Sequence, residues 1–571
     1  MIIDFDKVLE RVGEFKRYQI SHYVLLGIAS VPVGMHTLAN VFLAATPNHW
    51  CTEPQIANYS RQGHRGVIPP GGSRDRMLDE CTVLGLSSGL GNESFGSMTN
   101  DPAPTACREW NFDRSVHEAT ITSEWSLVCS DAWKPVMAQS LFMTGFLLGA
   151  IIFGALSDRI GRKLSWYVGL LAVVISGCLA AFMPEYWSHV ILRAVSGAAC
   201  AGYYTVAFVL SLETIGKGYR VKTGIMYQAY FAVGYMLLAA MAFFIRSYVW
   251  LQLAISIVPA VFLSYYCFIG ESPRWLITQG RLVQARHELR RMARINNTES
   301  VDDILESEID YLVKTNDPVT KKKFVEQSTQ DRKYSVVDLV RTPNLRKTSF
   351  NLFFNWFVNS LVYYGLSQGI SELSGSVYWN LFIAGAMEIM ALGICVYALE
   401  RVGRRWPISL CLITGGLACL AFVPIPEEME MTRTILSMIG RFCISGSFGI
   451  IYVFSAELFP TVLRNTGIGT GSMHARIGGL IAPFVTELGR LFWKPLPMVL
   501  FGSVSVLAGM LALLLPETFN QHLPDTIEDA ENFGKAGPSA FQSLCKSRRK
   551  STTKGRTDNP IPLACNGISS A

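Results

Sequence analysis

Apolar residues gather along this chain in runs of about 20, the length that crosses a hydrocarbon core roughly 30 Å thick. They predict membrane-spanning helices at 19–44, 135–157, 164–183, 187–212, 222–245, 249–269, 349–369, 377–399, 406–425, 434–456, 465–487 and 496–516. Six of these precede a polar stretch from Gly270 to Thr348, and six follow it. The pattern is that of an all-α membrane protein with twelve transmembrane helices in two six-helix bundles, 19–269 and 349–516. Segment 45–134 forms an insertion after the first span, 270–348 a central loop, and 1–18 and 517–571 the two ends.

Charge assigns the sides. Cytoplasmic loops of membrane proteins carry the excess of Lys and Arg. The connector Ser157 to Lys163 holds three basic residues, and the central loop carries Arg290, Arg291 and Lys321 to Lys323. Segment 45–134 is acidic, with Asp75, Asp79, Glu80, Glu93, Asp101, Glu109, Asp113, Glu118 and Glu124. Both termini and the central loop are therefore expected inside, and 45–134 outside. Asp4, Asp6, Lys7, Glu10 and Arg11 precede the first apolar run and argue against a cleavable signal peptide.

Cysteine placement points the same way. Cys51, Cys81, Cys107 and Cys129 fall in the segment expected outside, where disulfides persist, and three pairings are open. Asn58 and Asn92 open glycosylation sequons there, while Asn296-Asn297-Thr298 lies on the cytoplasmic side and should stay unmodified.

The two halves echo each other at one membrane edge. Asp158-Arg159-Ile160-Gly161-Arg162-Lys163 is matched by Glu400-Arg401-Val402-Gly403-Arg404-Arg405, Glu213 with Arg220 by Glu457 with Arg464, and Glu271-Ser272-Pro273 by Pro516-Glu517-Thr518. Arg193 and Arg441 repeat in the same manner and suggest a structural role. Such order fits a duplicated carrier. Asp158, Arg159, Arg162, Glu213, Arg220, Glu400, Arg401, Arg404, Glu457 and Arg464 are expected to form a cytoplasmic gate, latching the bundles through opposite charges.

Composition narrows the function. Half the residues are hydrophobic and 16% are charged, below the roughly 25% of an ordinary soluble protein. The net charge of +6 is spread over loops and marks no nucleic-acid face. No Gly-x-x-x-x-Gly-Lys, His-Glu-x-x-His or metal-spaced cysteine cluster supports an enzyme or a cofactor. A receptor would leave the duplicated motifs unexplained. The tail 534–571 reads as disordered.

Ionisable residues deep in a span are costly and usually face a cavity or a partner. Glu388 and Arg476 each lie about eleven residues into their spans, roughly 16 Å deep. They are expected to face a central cavity as one negative and one positive recognition group, the alternative being that they neutralise each other or hold helices together. Tyr204, Phe146, Tyr227, Tyr363 and Tyr364 are candidates for the aromatic wall, since rings attract organic cations. His474 and His36 are read as hydrogen-bonded side chains.

The chain resembles the major facilitator superfamily and, within it, solute carrier family 22, the organic cation, carnitine and organic anion transporters. The superfamily-level likeness rests on Gly154 to Lys163 and its second-half copy. The more discriminating motifs are Ala45-Thr46-Pro47 before Cys51, Ser123-Glu124-Trp125-Ser126-Leu127-Val128-Cys129, Glu271-Ser272-Pro273-Arg274-Trp275-Leu276 and Leu515-Pro516-Glu517-Thr518. The resemblance spans residues 4–533 and implies the major facilitator fold, a glycosylated, disulfide-bonded outer domain, and a plasma-membrane carrier of small organic ions. Glu388 matches an acidic position of the family, and Tyr204 an aromatic cavity position. Arg476 stands where cation members carry aspartate and where anion and carnitine members carry arginine. An organic cation or carnitine-like zwitterion is the expected solute, with an organic anion as the alternative and a sugar as the remoter one. Membrane lipid and a coupling ion, H+ or Na+, are the candidate partners, and the residues do not identify the ion.

Overall fold

The computed structural model describes residues 5–51, 81–84, 104–298, 335–521 and 523–534. After an N-terminal helix α1 (Phe5–Val12), the first bundle contains α2 (Arg17–Leu38), α3 (Trp133–Ile160), α4 (Arg162–Ala181), α5 (Tyr186–Glu213), α6 (Lys217–Phe244) and α7 (Tyr248–Ile257). A helix α8 (Leu282–Asn296) leads towards the second bundle of α9 (Pro343–Gln368), α10 (Val377–Arg401), α11 (Arg405–Phe422), α12 (Glu430–Leu458), α13 (Arg464–Leu491) and α14 (Leu496–Ala512), and a short α15 (Ile527–Asn532) follows.

Every expected span coincides with one of these helices. Among the described residues, nine helices are long and apolar enough to cross a membrane. The remaining three expected spans are α9, α13 and the shorter α14. α9 carries the buried amides of Asn355 and Asn359, and α13 carries Arg476. Polar groups within a span pair with one another or line a cavity, so the two less apolar helices are the ones to inspect for a site. The sixth span departs from a uniform α-helix: beyond Ile257 it continues as a 3-10 helix, Val258–Cys267, with Pro259 at its start lacking an N–H for the α-helical ladder.

The bundles meet along two seams, α6 against α10 and α3 against α13. Each half turns sharply between its second and third spans at Gly161, φ +107°, and Gly403, φ +102°. A side chain at either glycine would be strained by the backbone and would also collide with a carboxylate, Glu271 or Glu517.

At the opposite end, the described part of segment 45–134 forms two antiparallel ribbons. β1 (His49–Cys51) pairs with β4 (Trp110–Phe112), and β2 (Thr82–Leu84) with β3 (Pro104–Ala106). Cys51 is joined to Cys107 and Cys81 to Cys129, one of the three pairings the sequence leaves open. Asn58 and Asn92 lie outside the described residues.

Candidate translocation chamber and gate

Glu388 sits on the α6–α10 seam and is 5% exposed. Its Oε2 accepts hydrogen bonds from Tyr235 of the first bundle at 2.8 Å and from Tyr363 at 2.9 Å and Ser445 at 3.4 Å of the second. Arg441 Nη2 lies 3.7 Å from the same oxygen. A carboxylate held this way is stable at depth because several donors and a counter-charge replace the lost water. Arg441 also donates to Ser367 and faces the Tyr363 and Tyr235 rings at 5.0 and 5.4 Å.

Arg476 lies elsewhere, half-buried on the α3–α13 seam. It donates to the Ser472 carbonyl at 2.9 Å and to the Ser472 hydroxyl, and its guanidinium stands 5.5 Å from the Phe146 ring. It forms no ion pair with a described carboxylate. Mutual neutralisation of Glu388 and Arg476 is therefore corrected: the counter-charge of Glu388 is Arg441. Equal depth put the two residues at one level, but their helices pack on different partners and present them on different seams.

Between the seams lie half-buried rings. Tyr204 is within electrostatic range of Glu388, Tyr364 and Tyr452, and Arg476 is within range of Tyr204, Tyr364 and Tyr452. Tyr204 also packs against Phe231, with ring centroids 6.4 Å apart. Tyr227 is fully buried and bonded to Ser30 at 2.6 Å, so it packs the first bundle and does not open onto this space. Phe146 supports Arg476, and Tyr363 is committed to Glu388. Tyr235, Ser445 and Tyr452 escaped the sequence reading, and Arg441 was expected only in a structural role. The repetition of Arg193 and Arg441 was the one available signal for any of them. His474 bonds the Thr470 carbonyl at 2.8 Å and stacks on Phe353.

At the end carrying the repeated motifs, the charges close within each half. Arg162 pairs with Asp158 at 2.5 Å and Glu213 at 3.3 Å, while Glu271 accepts the backbone N–H groups of Arg162 and Lys163 at 3.0 and 3.1 Å. The second half repeats the plan. Arg404 grips Glu457 through two hydrogen bonds of 2.8 Å, and Glu517 accepts the N–H groups of Arg404 and Arg405 at 2.9 and 3.0 Å. In each case a carboxylate neutralises the positive end of a helix dipole.

These pairs do not latch one bundle to the other, and the expected gate is corrected on that point. Acid and arginine of each motif stand on neighbouring helices of the same bundle, within reach of each other and not of their copies. Of the remaining gate candidates, Arg220 bonds Asp6 at 2.7 Å, and Arg464 lies in the field of Asp525 and Glu457. Arg159 and Arg401 are exposed, the latter over the Tyr397 ring. Among the described residues, the ion pair that does cross between the bundles is Lys222 of α6 with Glu400 of α10, at 2.6 Å. It borders a cleft of about 410 Å³ lined by Val221, Ile225, Val396, Leu399, Arg404 and Phe519. At the far end of the same seam, Tyr378 stacks on Phe42 at 5.4 Å and donates to the Val116 carbonyl at 3.3 Å.

Asn296, first residue of the third sequon, is 7% exposed. Its amide nitrogen donates to the Val12 carbonyl and Gln19, and its oxygen accepts from the Tyr18 N–H.

Comparison with known proteins agrees with this architecture. Residues 110–528 match the family model described as sugar (and other) transporter. The chain is 40% identical over 535 residues to an organic cation transporter protein of Drosophila melanogaster, covering 93% of this chain and 95% of the relative. It is 33% identical to solute carrier family 22 member 6-A of Xenopus laevis, covering 98% and 99%, and 33% identical to member 2 of Rattus norvegicus, covering 92% and 95%. In fold, it is similar to the proton:xylose symporter XylE bound to 6-bromo-6-deoxy-D-glucose, with a TM-score of 0.57 at 15% identity over 90% of this chain and 99% of that one. Duplicated bundles, repeated edge motifs and near full-length likeness to these relatives lead to one conclusion: the chain belongs to solute carrier family 22 within the sugar (and other) transporter family of the major facilitator superfamily.

Proposed function

We propose that the chain carries small organic ions across a membrane by alternating access, with an organic cation or a carnitine-like zwitterion as the solute. The observation that carries this reading is the arrangement of Glu388 and Arg476 on separate seams, each beside aromatic side chains, Tyr235 and Tyr363 at Glu388 and Phe146 at Arg476. A zwitterion would lay its carboxylate on Arg476, which can bind it through two N–H groups. Its cationic end would lie over the Tyr204 and Tyr364 rings towards Glu388. A cation would compete with Tyr235 for the same carboxylate, so that solute entry and seam release become one event.

A second reading, an organic anion carrier, is favoured by one specific observation. Glu388 already has Arg441 as counter-charge, whereas Arg476 has no described carboxylate partner. A sugar carrier has less support, because buried charges serve an ionic solute better than a neutral one.

The motif-bearing end would face the cytoplasm and the disulfide-bonded end the exterior of a plasma membrane, in keeping with the distribution of Lys and Arg. The test is competition by a quaternary ammonium, a betaine, an aromatic carboxylate and a hexose against one labelled organic ion in cells expressing the chain. Saturable uptake blocked by the ammonium or betaine is expected. Block by the carboxylate alone would select the anion reading, and block by the hexose alone would refute both.

A further inference from the structure

α6 begins with an electrostatic problem. Its first six residues include Lys217, Arg220 and Lys222, and no acid lies in its first turn. Cations at a helix N-terminus oppose the macrodipole, by about 0.3–1 kcal/mol each at exposed positions. The compensation comes from outside the helix. Asp6 on α1 accepts Arg220 at 2.7 Å and Lys217 at 3.1 Å. Burial acts to raise the Asp6 carboxyl, but Lys217 and Arg220 outweigh it and hold it below the ordinary carboxylate range, so it stays charged.

The helix bearing Asp6 is itself anchored. Leu9 and Val12 are fully buried against α8, in a cluster with Leu289 and Met292. The Val12 carbonyl accepts from Asn296, and the Glu14 carbonyl accepts the Gly216 N–H at 3.0 Å, directly before α6. α1 is thus a strap fastened to the first bundle, with its acid aimed at the start of the helix that supplies Lys222 and Tyr235 to the α6–α10 seam. In the second half, Asp525 stands in a similar relation to Arg464.

We propose that Asp6 is a positioning residue of the transport cycle: by neutralising the first turn of α6 it sets where Lys222 meets Glu400, and so how readily the cleft between the bundles opens. The proposal rests on the alternating-access reading above, and its test uses a readout that needs no solute. Val396 on the cleft wall is half-buried, and Val396→Cys places a reporter thiol there. In membranes containing the full chain, its alkylation by a charged maleimide, applied to the motif-bearing end and corrected for the chain without the reporter, reports opening.

Asp6→Asn should raise that rate about three- to tenfold, because loss of roughly 1 kcal/mol shifts an equilibrium about fivefold. Asp6→Glu should remain near the parent, and Asp6→Arg combined with Arg220→Asp should return most of the way, which a misfolded chain would not do. An unchanged rate in Asp6→Asn, or a raised rate that the charge exchange does not reverse, overturns the proposal. Altered alkylation in a chain whose parent moves no organic ion would leave the positioning role standing and defeat the transport reading.

Discussion

The Tyr235 hydroxyl, in the first bundle, donates a 2.8 Å hydrogen bond to the Glu388 carboxylate in the second. Among the described residues, no comparable side-chain bond to a charged acceptor spans the other seam, where Ser140 reaches the Leu480 carbonyl at 3.3 Å. A hydrogen bond to a charged group contributes about 1.5–3 kcal/mol. Tyr235→Phe should therefore weaken the closed seam by about tenfold or more, and Glu388→Gln should lower uptake of a labelled organic cation further at matched surface abundance. Equal turnover in Tyr235→Phe and parent would show that the bond does not govern the seam.

Arg476 gives a prediction that separates solute classes. Arg476→Ala should raise the concentration of a carboxylate needed for half-inhibition by about tenfold or more, as expected for loss of a charge-assisted pair. Inhibition by a quaternary ammonium should change far less. Arg476→Lys should recover only part of the carboxylate affinity, since an ammonium cannot present the planar fork. Parallel loss for both solute classes would indicate a packing role over Phe146.

Lys222 and Glu400 are each 50% exposed, so their pair should matter little to stability, about 0–1 kcal/mol. Its effect should appear in the cycle. Lys222→Glu should slow or misdirect turnover by placing two acids together, and Lys222→Glu with Glu400→Lys should restore it at unchanged abundance. A double variant no better than the single one would rule out the pair as a gate contact.

Much of this was readable in the chain and some of it was not, for identifiable reasons. The apolar runs coincide with twelve helices, including α9 and α13, which buried amides and Arg476 make less apolar than their neighbours. Repeated motifs located the charged end. Depth placed Glu388 and Arg476 at one level, yet depth along a helix says nothing of the direction a side chain takes around its axis. Tyr235 and Arg441 became partners of Glu388 only through the packing of α6 and α12 on α10. Latching the halves through the motif arginines failed for a related reason, because Asp158, Glu213 and Glu457 each satisfy an arginine of their own bundle. Asp6 carried no local signal, since its partner is 214 positions away.

Glu271 and Glu517 play equivalent parts in different surroundings, which gives a pH test. Burial acts to raise Glu517, but the backbone N–H groups of Arg404, Phe519, Arg405 and Thr518 hold it below its ordinary range. The stability it contributes is thus present above the ordinary glutamate value of about 4.3 and is lost as pH falls through its lower folded value. Burial wins at Glu271 and raises it, so its contribution has the opposite sign and fades as pH rises. Thermal unfolding of Glu517→Gln against the parent should show a deficit at pH 7 that closes on acidification below about 4. For Glu271→Gln the parent should instead gain on the variant as pH falls. The same trend in both would contradict the assignment.

Because Asp158 and Glu213 clasp Arg162, and Glu457 clasps Arg404, each inside one half, either six-helix block can pivot without unfastening these ties. Reorientation then has to break what joins the blocks, the apolar packing of the two seams together with Lys222 on Glu400, Tyr235 on Glu388, Ser140 on Leu480 and Tyr378 on Phe42. A swing of this kind leaves each block's charge clusters whole and concentrates its cost where the blocks touch.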